Sequence, residues 1–228
     1  MALLYTPRCA LCERRLDDLR LVCPTCDAEL PGLDSPRCVR CEAPLESSFL
    51  DLCVPCGTTL ESFVTARALG PYEGSWGALV RLLKFGQERA VARFLARRMA
   101  ILARESSWAE RIETITYVPM TRTERRQRGW NQARVLARQL GRALHRPTAR
   151  LLVKQRTTRR QTGLSAGERR ENLRDAFRSV GSAGGGALLV DAIYTTGATA
   201  DACARALRCG GWREVYVLTA ARAHGGPR

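Results

Sequence analysis

No run of eighteen apolar residues occurs anywhere in the 228-residue chain, so no segment has the length and character of a membrane-spanning helix. Met1 to Tyr5 is apolar, but no basic residues stand ahead of it, so it does not read as a secretory signal. A cytoplasmic protein is the expectation. Lysine is nearly missing. Only Lys84 and Lys154 are lysines among 37 positive side chains, and the other 35 are arginines. Arginine forks onto phosphate through two parallel hydrogen bonds and stacks on bases, which favours a nucleic-acid partner. A GC-rich genome would also enrich arginine, and a charge count by itself shows no patch. Acids are unevenly spread: through Ser62, 6 Arg face 10 Asp and Glu, whereas beyond it 31 Lys and Arg face 12 acids. The net charge of +15 therefore joins an acidic end to a strongly basic remainder.

Eight of the ten cysteines precede Gly57, in four C-x-x-C pairs: Cys9 and Cys12, Cys23 and Cys26, Cys38 and Cys41, Cys53 and Cys56. The intervals between pairs are 10, 11 and 11 residues, a repeated knuckle. Each pair turns two sulfurs toward one ion, and two pairs complete a tetrahedral site of four thiolates, so two zinc ions are expected. A reducing compartment disfavours disulfides as the alternative. The spacing leaves open whether adjacent or alternate knuckles share an ion. With few large apolar residues here, metal would supply most of the folding energy. The surplus of acids points to bracing or partner binding rather than phosphate contact. Residues 1–62 thus form one unit and residues 63–228 another. Cys203 and Cys209 read as small helix residues without chemistry.

In the second unit strands alternate with helices, the pattern of an α/β fold with a mostly parallel sheet flanked by helices. Phe63 to Tyr72 reads as a strand, and Trp76, Leu79, Val80, Leu83 and Phe85 as an amphipathic helix closing at Gly86. From Glu88 to Arg104, Val91, Phe94, Leu95, Met99 and Leu102 share one helix face with arginines opposite, which reads as core and surface with no site. Ile112 to Met120 is a strand that breaks into a basic loop, and a helix starts near Asn131. Leu151 to Lys154 is a short strand, Ser165 and Glu168 form a capping box, and Gly181 to Gly186 is a flexible connection. Val215 to Thr219 is the last strand. Between Thr121 and Arg178, 17 basic residues face 4 acids.

The stretch from Ala187 to Thr199 carries the chemistry. Apolar residues Ala187 to Val190 form a buried strand, and Thr195 to Thr199 form a turn into a helix beginning near Ala200. Such a turn presents backbone N–H groups and hydroxyls at the positive end of a helix, which suits a phosphate monoester. The strand delivers Asp191 to its mouth, where a carboxylate holds ribose hydroxyls or a magnesium ion they share. The segment resembles the phosphoribosyl pyrophosphate (PRPP) motif of type I phosphoribosyltransferases, in which two adjacent acids precede Thr-Thr-Gly-x-Thr. Asp191 matches the first acid, but Ala192 stands at the second. One lost charge-assisted hydrogen bond is worth roughly 1.5–3 kcal/mol, or about one to two powers of ten in affinity.

Nearly the whole chain resembles the ComF family of late-competence proteins, which includes the GntX form. The residues that carry the resemblance are the four knuckles, Pro71-Tyr72-Glu73-Gly74, Leu83-Lys84-Phe85, Val118-Pro119-Met120, Arg128-Gly129-Trp130-Asn131-Gln132, Gln161-Thr162-Gly163-Leu164-Ser165 with Arg169, Arg170 and Asn172, and the Tyr194 to Thr199 loop. The resemblance implies a double zinc ribbon joined to a type I phosphoribosyltransferase-like domain. The phosphate site would be Asp191, Thr195, Thr196, Gly197, Ala198 and Thr199, with Met120 and Thr121 on the pyrophosphate side. It also implies a role in natural transformation, receiving single-stranded DNA in the cytoplasm with a helicase and recombination proteins as partners. Two classes of function follow. In one, Arg122, Arg125, Arg126, Arg128, Lys154, Arg156, Arg159 and Arg160 hold the phosphates of a single strand and Trp130 stacks a base. In the other, Asp191 is the catalytic residue of an enzyme that binds PRPP with magnesium and has an unknown acceptor.

Overall fold

The computed structural model describes residues 7–58, 62–85, 89–156, 166–173, 175–181 and 183–223. Its first unit is a duplicated knuckle. The amide of Glu13 donates to Cys9 O at 2.9 Å, and that of Glu42, 29 positions on, donates to Cys38 O at 2.8 Å. Both glutamates take positive φ, 60° and 58°. Each copy then ends in a one-turn helix, α1 (Pro24–Ala28) and α2 (Val54–Thr58). Among the described residues, the buried apolar side chains of this unit other than cysteines are Leu16 and Val22.

The second unit is built on a four-stranded parallel sheet ordered β1-β6-β5-β2, with β1 Thr65–Ala68, β2 Ile112–Tyr117, β5 Gly186–Tyr194 and β6 Glu214–Arg222. Parallel strands need crossovers that cover both faces, which is why β5 is apolar from Ala187 to Val190 rather than alternating. Leu188, Val190 and Ala192 face the cluster containing α3 (Gly74–Phe85), α4 (Arg89–Arg104) and α6 (Gln132–Leu144). Ala187 and Leu189 face the other cluster, with α8 (Ala198–Cys209) and a two-stranded ribbon of β3 (Leu152–Lys154) and β4 (Phe177–Ser179). Strand β1 is shorter than the expected Phe63 to Tyr72 because it finds β6 partners for only four residues, and β6 runs past Thr219 because β5 pairs with it as far as Arg222. Among the described residues no helix is long and apolar enough to cross a membrane.

Two sequence expectations change. Residues after Thr121 form a short helix, α5 (Arg122–Arg128), not a loop. Thr121 Oγ1 accepts from the Glu124 amide at 3.1 Å while Glu124 Oε2 accepts from the Thr121 amide at 2.8 Å, a complete capping box. The glycines before β5 are close-packed rather than loose: a Cβ on Gly186 would lie 2.0 Å from Arg111 O, and Gly185 donates to Glu113 Oε2 at 2.8 Å. The capping box of Ser165 falls outside the described residues, although α7 (Ala166–Asn172) follows it.

The two units are joined by specific contacts. Glu42, 4% exposed, pairs with Arg67 at 2.5 Å and accepts from the Ala68 amide at 2.7 Å. Burial pushes its carboxyl above the ordinary range despite Arg67. Ala66 donates to Arg40 O at 2.7 Å, and Trp76 Nε1 to Pro31 O at 2.7 Å. The second knuckle thus sits at the β1 edge of the sheet.

Candidate functional site

The knuckle pairing left open by spacing is settled by geometry. Cys9, Cys12, Cys23 and Cys26 form one cluster and Cys38, Cys41, Cys53 and Cys56 the other, with the four sulfurs of each within 4.8 Å of one another. Adjacent pairs therefore share an ion. A tetrahedron of thiolates with Zn–S bonds of about 2.3 Å has an S···S edge of about 3.8 Å. Cys12 and Cys23 stand 3.8 Å apart and Cys41 and Cys53 3.7 Å, so the donor sets fit zinc and are far too open for disulfides. The Cys41 thiol is held down to about 5, first by its hydrogen bond from Cys56 and further by the charge of Arg222. Two four-cysteine clusters in this arrangement support two zinc ions.

All four sheet strands end on one edge, and the turn after β5 lies there. Gly197 caps α8 with φ 82°, and a Cβ at this position would meet Tyr194 Oη at 2.3 Å. Both facts demand glycine, since an L residue in this region costs about 1–2 kcal/mol before any clash. Gly197→Ala is expected to lose about 2 kcal/mol or more, read as a lower urea midpoint; an unchanged midpoint would mean the turn rebuilds without cost. Among the described residues the amides of Thr196, Gly197 and Ala198 have no backbone acceptor, and Thr196 Oγ1 is buried without a partner. Orphan donors at the positive end of a helix, with an orphan hydroxyl, make an anion cradle.

Asp191, Thr195, Gly197 and Thr199 come together around a cavity of about 20 Å³, closed on the β2 side by Val118 and on the β6 side by Thr219. This space holds one water-sized group, so a larger ligand needs the turn to open. Asp191 accepts the Ala192 amide at 2.7 Å through Oδ1. Ala192 itself is 5% exposed and packs in the cluster on the opposite face of the sheet. The turn carries the donors a phosphate uses and must open to admit one, but the paired-acid grip on a ribose does not fit this chain. Cys203, in α8, is wholly buried, and burial raises its thiol well above the ordinary value, so it is inert. Met120 and Thr121 do not line the cavity; Thr121 is the cap of α5.

The candidate phosphate-contact residues divide. Arg122, Arg125 and Arg126 are exposed on α5, and Arg156 is exposed beyond β3. Lys154 is held by Glu124, Nζ to Oε1 at 2.6 Å, with its side chain 9% exposed. Burial alone would raise the Glu124 carboxyl, but the bonds from Lys154 and the Thr121 amide outweigh it and hold it below its ordinary range. Arg159, Arg160 and the side chain of Arg128 lie outside the described residues. Trp130 lies in a groove with Arg89, Arg93, Arg138 and Arg142. In sequence Arg89 and Arg93 read as plain surface and Arg138 and Arg142 carry no site reading, because sequence shows each helix separately. The available signal was arginine at i, i+4 on both. Asn131 explains why the loop ends where it does: Oδ1 caps the Arg134 amide at 3.1 Å and Nδ2 donates to Val118 O at 3.0 Å, tying α6 to the end of β2.

The zinc-binding segment and the chain as a whole both have known relatives. The family described as "Double zinc ribbon domain" matches residues 1–62. Competence protein F of Haemophilus influenzae is 30% identical over 225 residues, covering 95% of this chain and 97% of that protein. The DNA utilization protein YhgH of Escherichia coli O6:H1 is 29% identical over 217 residues, covering 92% and 87%. Among solved structures, glutamine phosphoribosylpyrophosphate amidotransferase from B. subtilis, complexed with ADP and GMP, aligns with a TM-score of 0.41 and 22% identity. That alignment covers 60% of this chain and 30% of that one. With a knuckle pair of the ribbon type, a parallel α/β sheet behind it and 30% identity across nearly the full length of both proteins, the chain belongs to the competence protein F family.

Proposed function

We propose that this chain binds single-stranded DNA entering the cytoplasm during natural transformation and hands it on. The names of its relatives, competence protein F and DNA utilization protein, support a DNA-related role. The observation that carries the proposal is the concentration of exposed arginines on α5, beside a turn whose orphan donors suit one phosphoryl group. Arg122, Arg125 and Arg126 hold backbone phosphates, the Thr195 to Thr199 turn takes one phosphate, and the zinc unit braces the sheet edge. Exposed Phe49 (96%), Val54 (78%) and Val39 (65%) are apolar side chains of the second knuckle available to a protein partner such as a helicase or recombination protein. Titration of a fluorescent single strand against the parent and Arg122→Ala/Arg125→Ala/Arg126→Ala is the test. A loss of tenfold or more in the variant supports the proposal, and equal affinity opposes it.

The intact turn favours a second reading, a PRPP-dependent transferase. Asp191 would hold ribose hydroxyls or magnesium and the turn would hold the 5-phosphate. The missing second acid opposes it, and restoring that acid is unfavourable because Ala192 is buried among apolar side chains. Calorimetry with PRPP and magnesium decides: micromolar binding by the parent supports the transferase, and no heat opposes it.

A further inference from the structure

A groove of about 750 Å³ opens between α4 and α6, on the side of the sheet opposite α8. Arg89 and Arg93 rise from α4 on one wall, Arg138 and Arg142 from α6 on the other, and Trp130 lines it as well. All four guanidinium groups are exposed, and among the described residues none has an acidic partner. A second opening of about 510 Å³ continues past Arg138 and Arg142 to His145 and Arg146.

The arrangement is a track rather than a scatter. Residues four apart on a helix lie on one face about 6 Å apart. Arg89 with Arg93 and Arg138 with Arg142 therefore make two parallel pairs of cations along a trough, spaced like successive phosphates of an extended strand. Uncompensated cations held this close repel one another, and a polyanion relieves that repulsion. Trp130 adds a π-surface, and its Nε1 is buried without a hydrogen-bond partner. Trp76, Trp108 and Trp212 are 2%, 5% and 5% exposed, whereas Trp130 packs against the core with only part of its surface and is half-buried. Aromatic stacking beside a cationic groove is how single strands are held without sequence preference.

We propose that single-stranded nucleic acid runs through this α4–α6 groove, with its phosphates on Arg89, Arg93, Arg138 and Arg142 and a base against Trp130. The inference rests on the DNA-binding reading above and adds a path separate from α5 and the turn. The test is a titration of a fluorescent oligothymidylate at several salt concentrations. It compares the parent, Arg89→Ala/Arg93→Ala/Arg138→Ala/Arg142→Ala, and the α5 triple variant. The substituted side chains are exposed, so circular dichroism should match the parent. Each phosphate contact contributes about 0.7 to the slope of log affinity on log salt, so the groove variant is expected to lose about 3 units of slope. Quenching of intrinsic fluorescence by the strand should disappear in Trp130→Phe. If the groove variant keeps the parent's slope while the α5 variant loses its own, this inference falls and the DNA-binding reading stands. If the parent shows no salt-sensitive binding, both fall.

Discussion

Stripping both zinc ions is expected to unfold residues 7–58 while leaving the parallel sheet folded. The reason is the small size of the core in the first unit, where, among the described residues, Leu16 and Val22 are the deeply buried large apolar side chains besides cysteine. Two such residues bury too little apolar surface to hold a segment of this length by themselves. A structural zinc site contributes about 10–16 kcal/mol of apparent binding energy, which makes the metal the dominant favourable contribution. Both apolar clusters are shared with the knuckles, through Cys9, Leu16, Val22 and Cys23 in one and Cys38, Cys41 and Cys56 in the other, but most of their side chains come from the sheet and its helices, which is why the sheet is expected to outlast the knuckles. Chelation followed by hydrogen exchange should release two zinc ions per chain and abolish protection through the knuckles, with β5 and β6 still protected. Retained protection at Cys38 to Cys56 after complete zinc release would mean that the unit folds by other means.

Arg222→Ala is the second large effect expected, because this side chain couples the second zinc cluster to the phosphate turn. Arg222 is 6% exposed at the end of β6; Nη1 donates to Cys41 O, and Nη2 lies 3.8 Å from Cys41 Sγ. Its guanidinium also stands 4.7 Å over the ring of Tyr194. That ring packs edge-on against Phe63 at 6.4 Å and leaves room for Gly197 only because glycine has no Cβ. A zinc ion with four thiolates carries a net charge of about −2, which a buried arginine offsets. A hydrogen bond to a charged group is worth about 1.5–3 kcal/mol, and a desolvated cation–π contact adds about 2. Removal should cost about 3–5 kcal/mol and lower Tm by about 10 °C, at 2–4 °C per kcal/mol for a chain of this size. Arg222→Lys should not rescue, since ammonium cannot present two planar donors while covering the ring. A shift below about 2 °C in Arg222→Ala would show that the zinc unit and the turn are energetically separate.

These two predictions mark what sequence could and could not supply. The C-x-x-C pairs, the apolar run into Asp191 and the Thr195 to Thr199 turn are local patterns, so zinc chemistry and the strand–turn–helix were legible directly. The α5 helix was encoded as Thr121-x-x-Glu124 and passed over because its arginines read as loop charge. Knuckle pairing, the burial of Ala192 and the partners of Arg222 depend on which elements meet in space. Arg222 and Cys41 are 181 positions apart, a contact that no local pattern announces. The groove is the same kind of case: α4 and α6 each show a modest arginine face, and only their packing joins Arg93 to Arg138 around Trp130.

The central claim is that arginines of this chain hold the phosphates of a single strand. The measurement that bears on it most directly is the affinity of the zinc-loaded parent for an unstructured single strand across salt concentration. Three arginines on α5 and four in the groove, at about 0.7 each, predict a slope of log affinity on log salt near −5. A slope indistinguishable from zero, with whatever affinity, would contradict the claim.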